Sequence, residues 1–216
     1  MISRCYKEDV FIPRIQNALN VQMPSYRCHV VDQMGMTKVM KGAGWNKKDT
    51  HGVVGFHLDS DVYVLKSAKW TTLHELIHRA GVNADRINRH LAEGLTELIA
   101  SDLKESKDEH RSTYPSERAW VKGFLSKLNM SPIELGRVIT HAPNPPRAVA
   151  ELIVSKGLSD KRVSTIARSL AAQKKNAPSF NRSSPTRLQR PDYGVYLFLL
   201  AFGIGTTVLM RRGRNA

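Results

Sequence analysis

The chain reads as an α+β protein: a small antiparallel sheet, then one central helix and a helical C-terminal half, then a separate C-terminal apolar helix. Three observations predict this. Runs rich in β-branched and aromatic residues gather before residue 67. From residue 70 onward the apolar residues recur at helical spacing instead. Residues 193–210 carry no charge at all.

Residues 10–20 place Val10, Ile15, Ala18 and Leu19 at roughly helical spacing, with Pro13 early, and predict a short amphipathic helix. Pro24 and Ser25 interrupt it, and residues 26–31, with Val30 and Val31, read as a strand. Gly35 and residues 41–48, with Gly42 and Gly44, read as turn or loop. Residues 51–58 (Val53, Val54, Phe56) and 61–66 (Val62, Tyr63, Val64, Leu65) are two further strands. Residues 70–79 put Leu73, Leu76 and Ile77 on one helical face, with Thr71 or Thr72 as cap and Gly81 as the stop.

A second helix is expected over 85–104, with Ile87, Leu91, Leu95, Leu98 and Ile99 inward. Residues 104–111 are charged and expected to be exposed, and a helix over 116–128 follows Pro115. Ser131, Pro132 and Glu134 form a helix start, with Ser as cap and Glu three residues on. Pro143, Pro145 and Pro146 end that helix, and two more are expected over 147–156 and 159–173. The division that follows is a domain over 1–172, a basic flexible linker over 173–192, a membrane-spanning helix over 193–210 and a basic tail over 211–216. As a helix the apolar stretch is about 27 Å long, enough to cross a hydrocarbon core. Tyr193 and Tyr196 suit its interface, and Arg211, Arg212 and Arg214 close the far side.

Composition bounds the function. Hydrophobic residues make up 41% of 216, which excludes wholesale disorder. The net charge is +14, suited to an anionic neighbour such as lipid headgroups, a wall polymer or nucleic acid. No helix-turn-helix, zinc-finger or basic-aromatic motif accompanies the charge, so no specific nucleic-acid partner is expected. Cys5 and Cys28 are too few for a disulfide scaffold and lack zinc-finger spacing; they are expected as free thiols. Residues 1–20 hold no apolar core of signal-peptide length, so the expectation is a single-pass C-terminal anchor with the domain on the cytoplasmic side of a cellular or viral membrane.

The chemistry lies in His74-Glu75-Leu76-Ile77-His78. Residues i and i+4 share a helix face, so two imidazoles at this spacing can bind one Zn²⁺ while the intervening Glu reaches a water beside it. A catalytic zinc takes three protein ligands and keeps one position open. Two candidates for the third, Glu93 and Glu97, lie on the next helix, in Ala92-Glu93-Gly94-Leu95-Thr96-Glu97.

This combination resembles the gluzincin zinc metallopeptidases over about residues 62–100. The resemblance implies a zincin-like fold and one zinc per chain. It makes His74, His78 and Glu93 the metal ligands and Glu75 the general base. It gives Glu97, one turn on, the part of orienting a zinc histidine. Ala92 stands where the family motif has Asn, and the gap from His78 to Glu93 is short, so Glu97 stays open as third ligand. A family member also carries a Tyr or His for the oxyanion; Tyr114 and His141 are the downstream candidates. His90 could support the site from behind, and His29, His51, His57 and His110 are expected as ordinary surface or hydrogen-bonded residues. The activity implied is hydrolysis of peptide bonds in a peptide or protein substrate at a membrane surface. Two alternatives stand beside it: a peptidoglycan-cleaving endopeptidase of phage or bacterial type, and a non-enzymatic membrane-anchored structural protein, possible in a virion, that keeps the fold.

Overall fold

A computed structural model describes residues 4–45, 52–82, 87–106 and 110–157. The expected helix over 159–173, the linker, the apolar span 193–210 with its lipid contact, and His51 lie outside the described residues. Among those described, no helix is long and apolar enough to cross a membrane.

The architecture is α+β, with a three-stranded sheet and seven α-helices among the described residues. Helix α1 (Glu8–Leu19) buries Phe11, Ile15 and Leu19, four residues apart, and carries Pro13 in its interior, where one backbone N–H is lost. Strand β1 (Arg27–Val31) follows. Then comes a helix where a turn is expected: α2 (Gln33–Gly42), capped by Asp32, whose side chain accepts from the Gly35 N–H. Its Met36 and Met40, one turn apart, are fully buried against the sheet with Phe56 and Leu65. Those contacts hold a helix whose local composition is turn-like.

Strands β2 (Gly55–Leu58) and β3 (Asp61–Leu65) form a hairpin, with Asp59 at φ 52° in its two-residue turn. The sheet order is β1-β3-β2. Strand β3 therefore lies between the other two, antiparallel to β2 and parallel to β1. The sheet is mixed, not antiparallel as expected. The physical reason is α2: a helical crossover carries the chain past one slot, into which the hairpin then inserts β3.

A single 3₁₀ turn (Lys69–Thr71) leads into α3 (Thr72–Arg79), which carries the H-E-x-x-H sequence. Thr71 precedes it without a side-chain capping bond, and Gly81 at φ 115° lets the chain leave. Every residue from Thr72 to His78 is buried, because α3 packs against the sheet, α1 and the next helix. That helix is α4 (Arg89–Leu103), capped by Asn88. Helices α5 (Pro115–Leu128), α6 (Pro132–His141) and α7 (Pro145–Ser155) complete the helical half. Ser131 and Glu134 form the reciprocal capping box their spacing predicts. The main core joins α1, α3, α4, α5, α6 and α7 through residues such as Ile15, Leu76, Leu95, Ile99 and Leu135.

The cysteines depart from expectation. Cys5 and Cys28 are bonded as a disulfide with Cα atoms 5.5 Å apart, tying the segment before α1 to β1. Both sulfurs are buried beside Val62 and Val64. Sequence spacing could not reveal this, because the contact depends on where α1 docks.

Candidate metal centre

Helix α3 sets the histidines. The four-residue step places His74 and His78 on one face, ring centroids 4.6 Å apart. Their Nε2 atoms are 2.9 Å apart. Helix α4 brings Glu93 across from them: its Oε2 is 3.2 Å from His74 Nε2 and 3.1 Å from His78 Nε2. The three donor atoms thus form a nearly equilateral triangle. A tetrahedral zinc at 2.0–2.1 Å from each ligand would set its donors about 3.3–3.4 Å apart. The observed triangle is slightly tighter than that, so a zinc fits with small outward movements.

The far side of each ring supports the same reading. His78 Nδ1–H donates to the Val82 carbonyl at 2.5 Å, which fixes the tautomer and leaves the Nε2 lone pair for the triangle. His74 Nδ1 faces Glu97 Oε1 at 3.2 Å, within ion-pair reach but off the line of a well-formed hydrogen bond. Both rings therefore turn Nε2 inward and Nδ1 toward a protein acceptor. Val82 owes its place to the stop at Gly81, which folds the carbonyl back under the helix end.

The electrostatics fit a site that holds a cation. Burial alone would lower the His74 pKa. The Glu93 and Glu97 carboxylates beside its two ring nitrogens and the charge of Glu75 outweigh it and raise it to about 10. Burial likewise pushes Glu93 and Glu97 toward the neutral acid, and the surrounding histidines reverse this and hold both well below the usual carboxylate range. Without an ion, a proton on His74 supplies positive charge that the carboxylates demand.

Glu75 is buried, and its carboxyl is raised, first by burial; the His74 and His78 charges and a hydrogen bond from Thr71 oppose the rise. Strand β2 lies directly over it. A Cβ on Gly55 would come 2.7 Å from Glu75 Oε1 and 2.8 Å from Thr71 Cγ2, so only glycine admits this carboxylate. Gly94 has the same kind of role on α4: a Cβ there would lie 2.4 Å from the Glu117 carbonyl oxygen of α5. The glycine after Glu93 therefore sets how closely the two helices pack.

The remaining histidines and Tyr114 sort by distance. The Tyr114 ring stacks on His74 at 5.6 Å, with the Arg89 charge near its hydroxyl. Burial, then the Glu93 and Glu75 charges, raise its pKa, so the phenol keeps its proton. Arg89 Nε also lies 3.7 Å from Glu93 Oε1, on the exposed side of the cluster. The His57 ring is 5.7 Å from that of His78. His141 is elsewhere, donating from Nε2 to the Leu19 carbonyl between α6 and α1. His90 faces Glu117 and Trp120 rather than the donor triangle.

His110 is the residue the sequence reading missed. It is buried, its ring parallel to that of His74, and bonded to Glu97 at 3.0 Å. The one signal was its position in a segment that must return across α4 to reach α5.

No protein-family model, no curated protein and no solved structure matches the chain.

Proposed function

We propose that the protein is a zinc-dependent metallopeptidase, with one zinc held by His74, His78 and Glu93 and with Glu75 as general base. The observation that carries this is the convergence of three donor atoms within 3.2 Å of one another, with a buried carboxylate one residue from the first histidine. When bound, the zinc supplies Lewis acidity, polarising a peptide carbonyl and making water a stronger acid.

Glu75 takes the proton of the attacking water and passes it to the leaving amine. Burial favours the base role, because a carboxylate with a raised pKa holds a proton more readily than an exposed one. Glu97 stands behind His74 and carries the orienting role, since its carboxylate faces Nδ1 and not the donor triangle. Tyr114, held protonated, and Arg89 are the donors placed to receive a carbonyl oxygen that gains negative charge.

Strand β2 supports a peptide as substrate. The Leu65 N–H donates to the Val54 carbonyl, so by antiparallel alternation Gly55 and His57 turn their backbone groups away from β3. Among the described residues strand β2 is the sheet edge, and Gly55 and the His57 ring lie beside Glu75 and His78. An extended peptide pairing there would run past the site. The uncharged stretch 193–210 supports a membrane surface as the setting for this chemistry.

The test uses full-length protein in detergent. Glu75→Gln keeps the side chain's shape and the metal, removes the basic carboxylate, and loses hydrolysis of a denatured protein substrate by about 100-fold or more. An unchanged rate in Glu75→Gln would refute the base. Murein offered in parallel separates a general peptidase from a wall-opening one.

A further inference from the structure

Glu97 is fully buried. An ionised carboxylate out of water is costly unless its oxygens find donors. Here the chain segment between α4 and α5 supplies them. His110 Nε2 meets Oε2 at 3.0 Å. The Thr113 hydroxyl donates to Oε1 at 3.2 Å, and the Thr113 N–H approaches the same oxygen at 3.4 Å. The remaining contact of Oε1 is His74 Nδ1 at 3.2 Å. His110 is itself buried, and its Nδ1 has no partner. Glu97 therefore accounts for its orientation, with Nε2–H as the donor.

From this chain of contacts we propose that His110 is a positioning residue for the metal centre, acting through Glu97 on His74. The inference rests on the metal reading above and deepens it. Glu97 can face His74 with a charged oxygen only while its other oxygen is satisfied. His110 satisfies that oxygen, and Thr113 limits rotation of the carboxylate. Remove the His110 donor, and the carboxylate either turns toward another partner or takes up a proton. In both cases His74 loses the carboxylate that faces its Nδ1 at 3.2 Å, and with it the charge that holds the ring with Nε2 inward. Loss of such an outer contact weakens metal affinity by about 10–100-fold in known sites.

The test compares zinc affinity, by competition with a chromophoric chelator, and the visible spectrum of the Co²⁺-loaded protein, using the full chain. His110→Phe keeps a planar ring and removes the donor. His110→Gln places an amide N–H near the position of Nε2. Phenylalanine is expected to weaken zinc binding by about tenfold or more and to shift the cobalt bands, and glutamine to restore affinity to within about threefold of wild type. Wild-type affinity and spectrum in His110→Phe would overturn the proposal. So would equal losses in Phe and Gln, since packing alone then explains them. Should His110→Phe not fold, the near-isosteric Thr113→Val tests the same carboxylate: a severalfold loss is expected, and unchanged affinity overturns the proposal. If the wild-type chain itself binds neither metal, the metal reading fails first and this inference falls with it.

Discussion

Three atoms, His74 Nε2, His78 Nε2 and Glu93 Oε2, carry the functional argument, and their protonation yields a prediction. In the ion-free chain the His74 pKa is raised to about 10, so at neutral pH this ring is charged. A metal ligand must be neutral, and binding therefore expels a proton. The sign follows: zinc affinity rises with pH, by about tenfold per unit for one proton, and levels off as the pH passes the raised pKa. Calorimetry in buffers of different ionisation enthalpy should detect at least one proton released per ion at pH 7.5; no release would contradict the assigned ligands. For the ion-free fold the same shift acts in the opposite direction. A raised histidine pKa contributes stability below the ordinary value of 6.5, and that contribution is lost as pH rises through about 10. At this scale the pairing of His74 with His78 was legible in the sequence, because helical spacing alone places i and i+4 together. His110 was not legible. Its partner Glu97 lies 13 residues away, joined through an irregular segment with no periodicity.

Among the elements, α3 and α4 set the site, and the spacing between them depends on what lies behind α4. Gly94 allows α5 to approach until a Cβ would strike the Glu117 carbonyl. Gly94→Ala is expected to destabilise by about 1–3 kcal/mol, the usual cost of overpacking a close contact. It should also weaken zinc binding, since Glu93 precedes it directly. Thermal unfolding with and without zinc checks both, and a wild-type midpoint in both conditions would refute the close approach. Apolar periodicity marked α1, α3 and α4 to within a few residues, Pro115 marked the start of α5, and the Ser131–Glu134 capping signal marked that of α6. It missed α2, because Gly35 and the polar Asp32-Gln33 start resemble a turn, while Met36 and Met40 become core residues only once the sheet is present. Missing α2 also hid the mixed topology. With a loop between β1 and β2 a simple meander is the natural reading; with a helix there, β3 can enter between them.

For the whole molecule, the Cys5–Cys28 bridge closes the chain across a separation of 23 residues, around α1. Removing it by Cys5→Ala with Cys28→Ala should cost about 3 kcal/mol on a loop-closure estimate. Denaturant unfolding checks this, and an unchanged midpoint would contradict it. The bridge corrects the free-thiol expectation for Cys5 and Cys28. Acid-trapped thiol counting on protein taken from cells should find no free cysteine. The bridge escaped the sequence reading for the same reason as His110: it joins two segments that meet only after the helical half has docked on the sheet.

The central claim is that this fold holds one zinc between α3 and α4. The most direct measurement is the metal content of the folded full-length protein, purified without chelators, beside His74→Ala. The account predicts about one zinc per chain in the wild type and almost none in the variant. A folded wild type without bound metal, or equal zinc in both proteins, would contradict it.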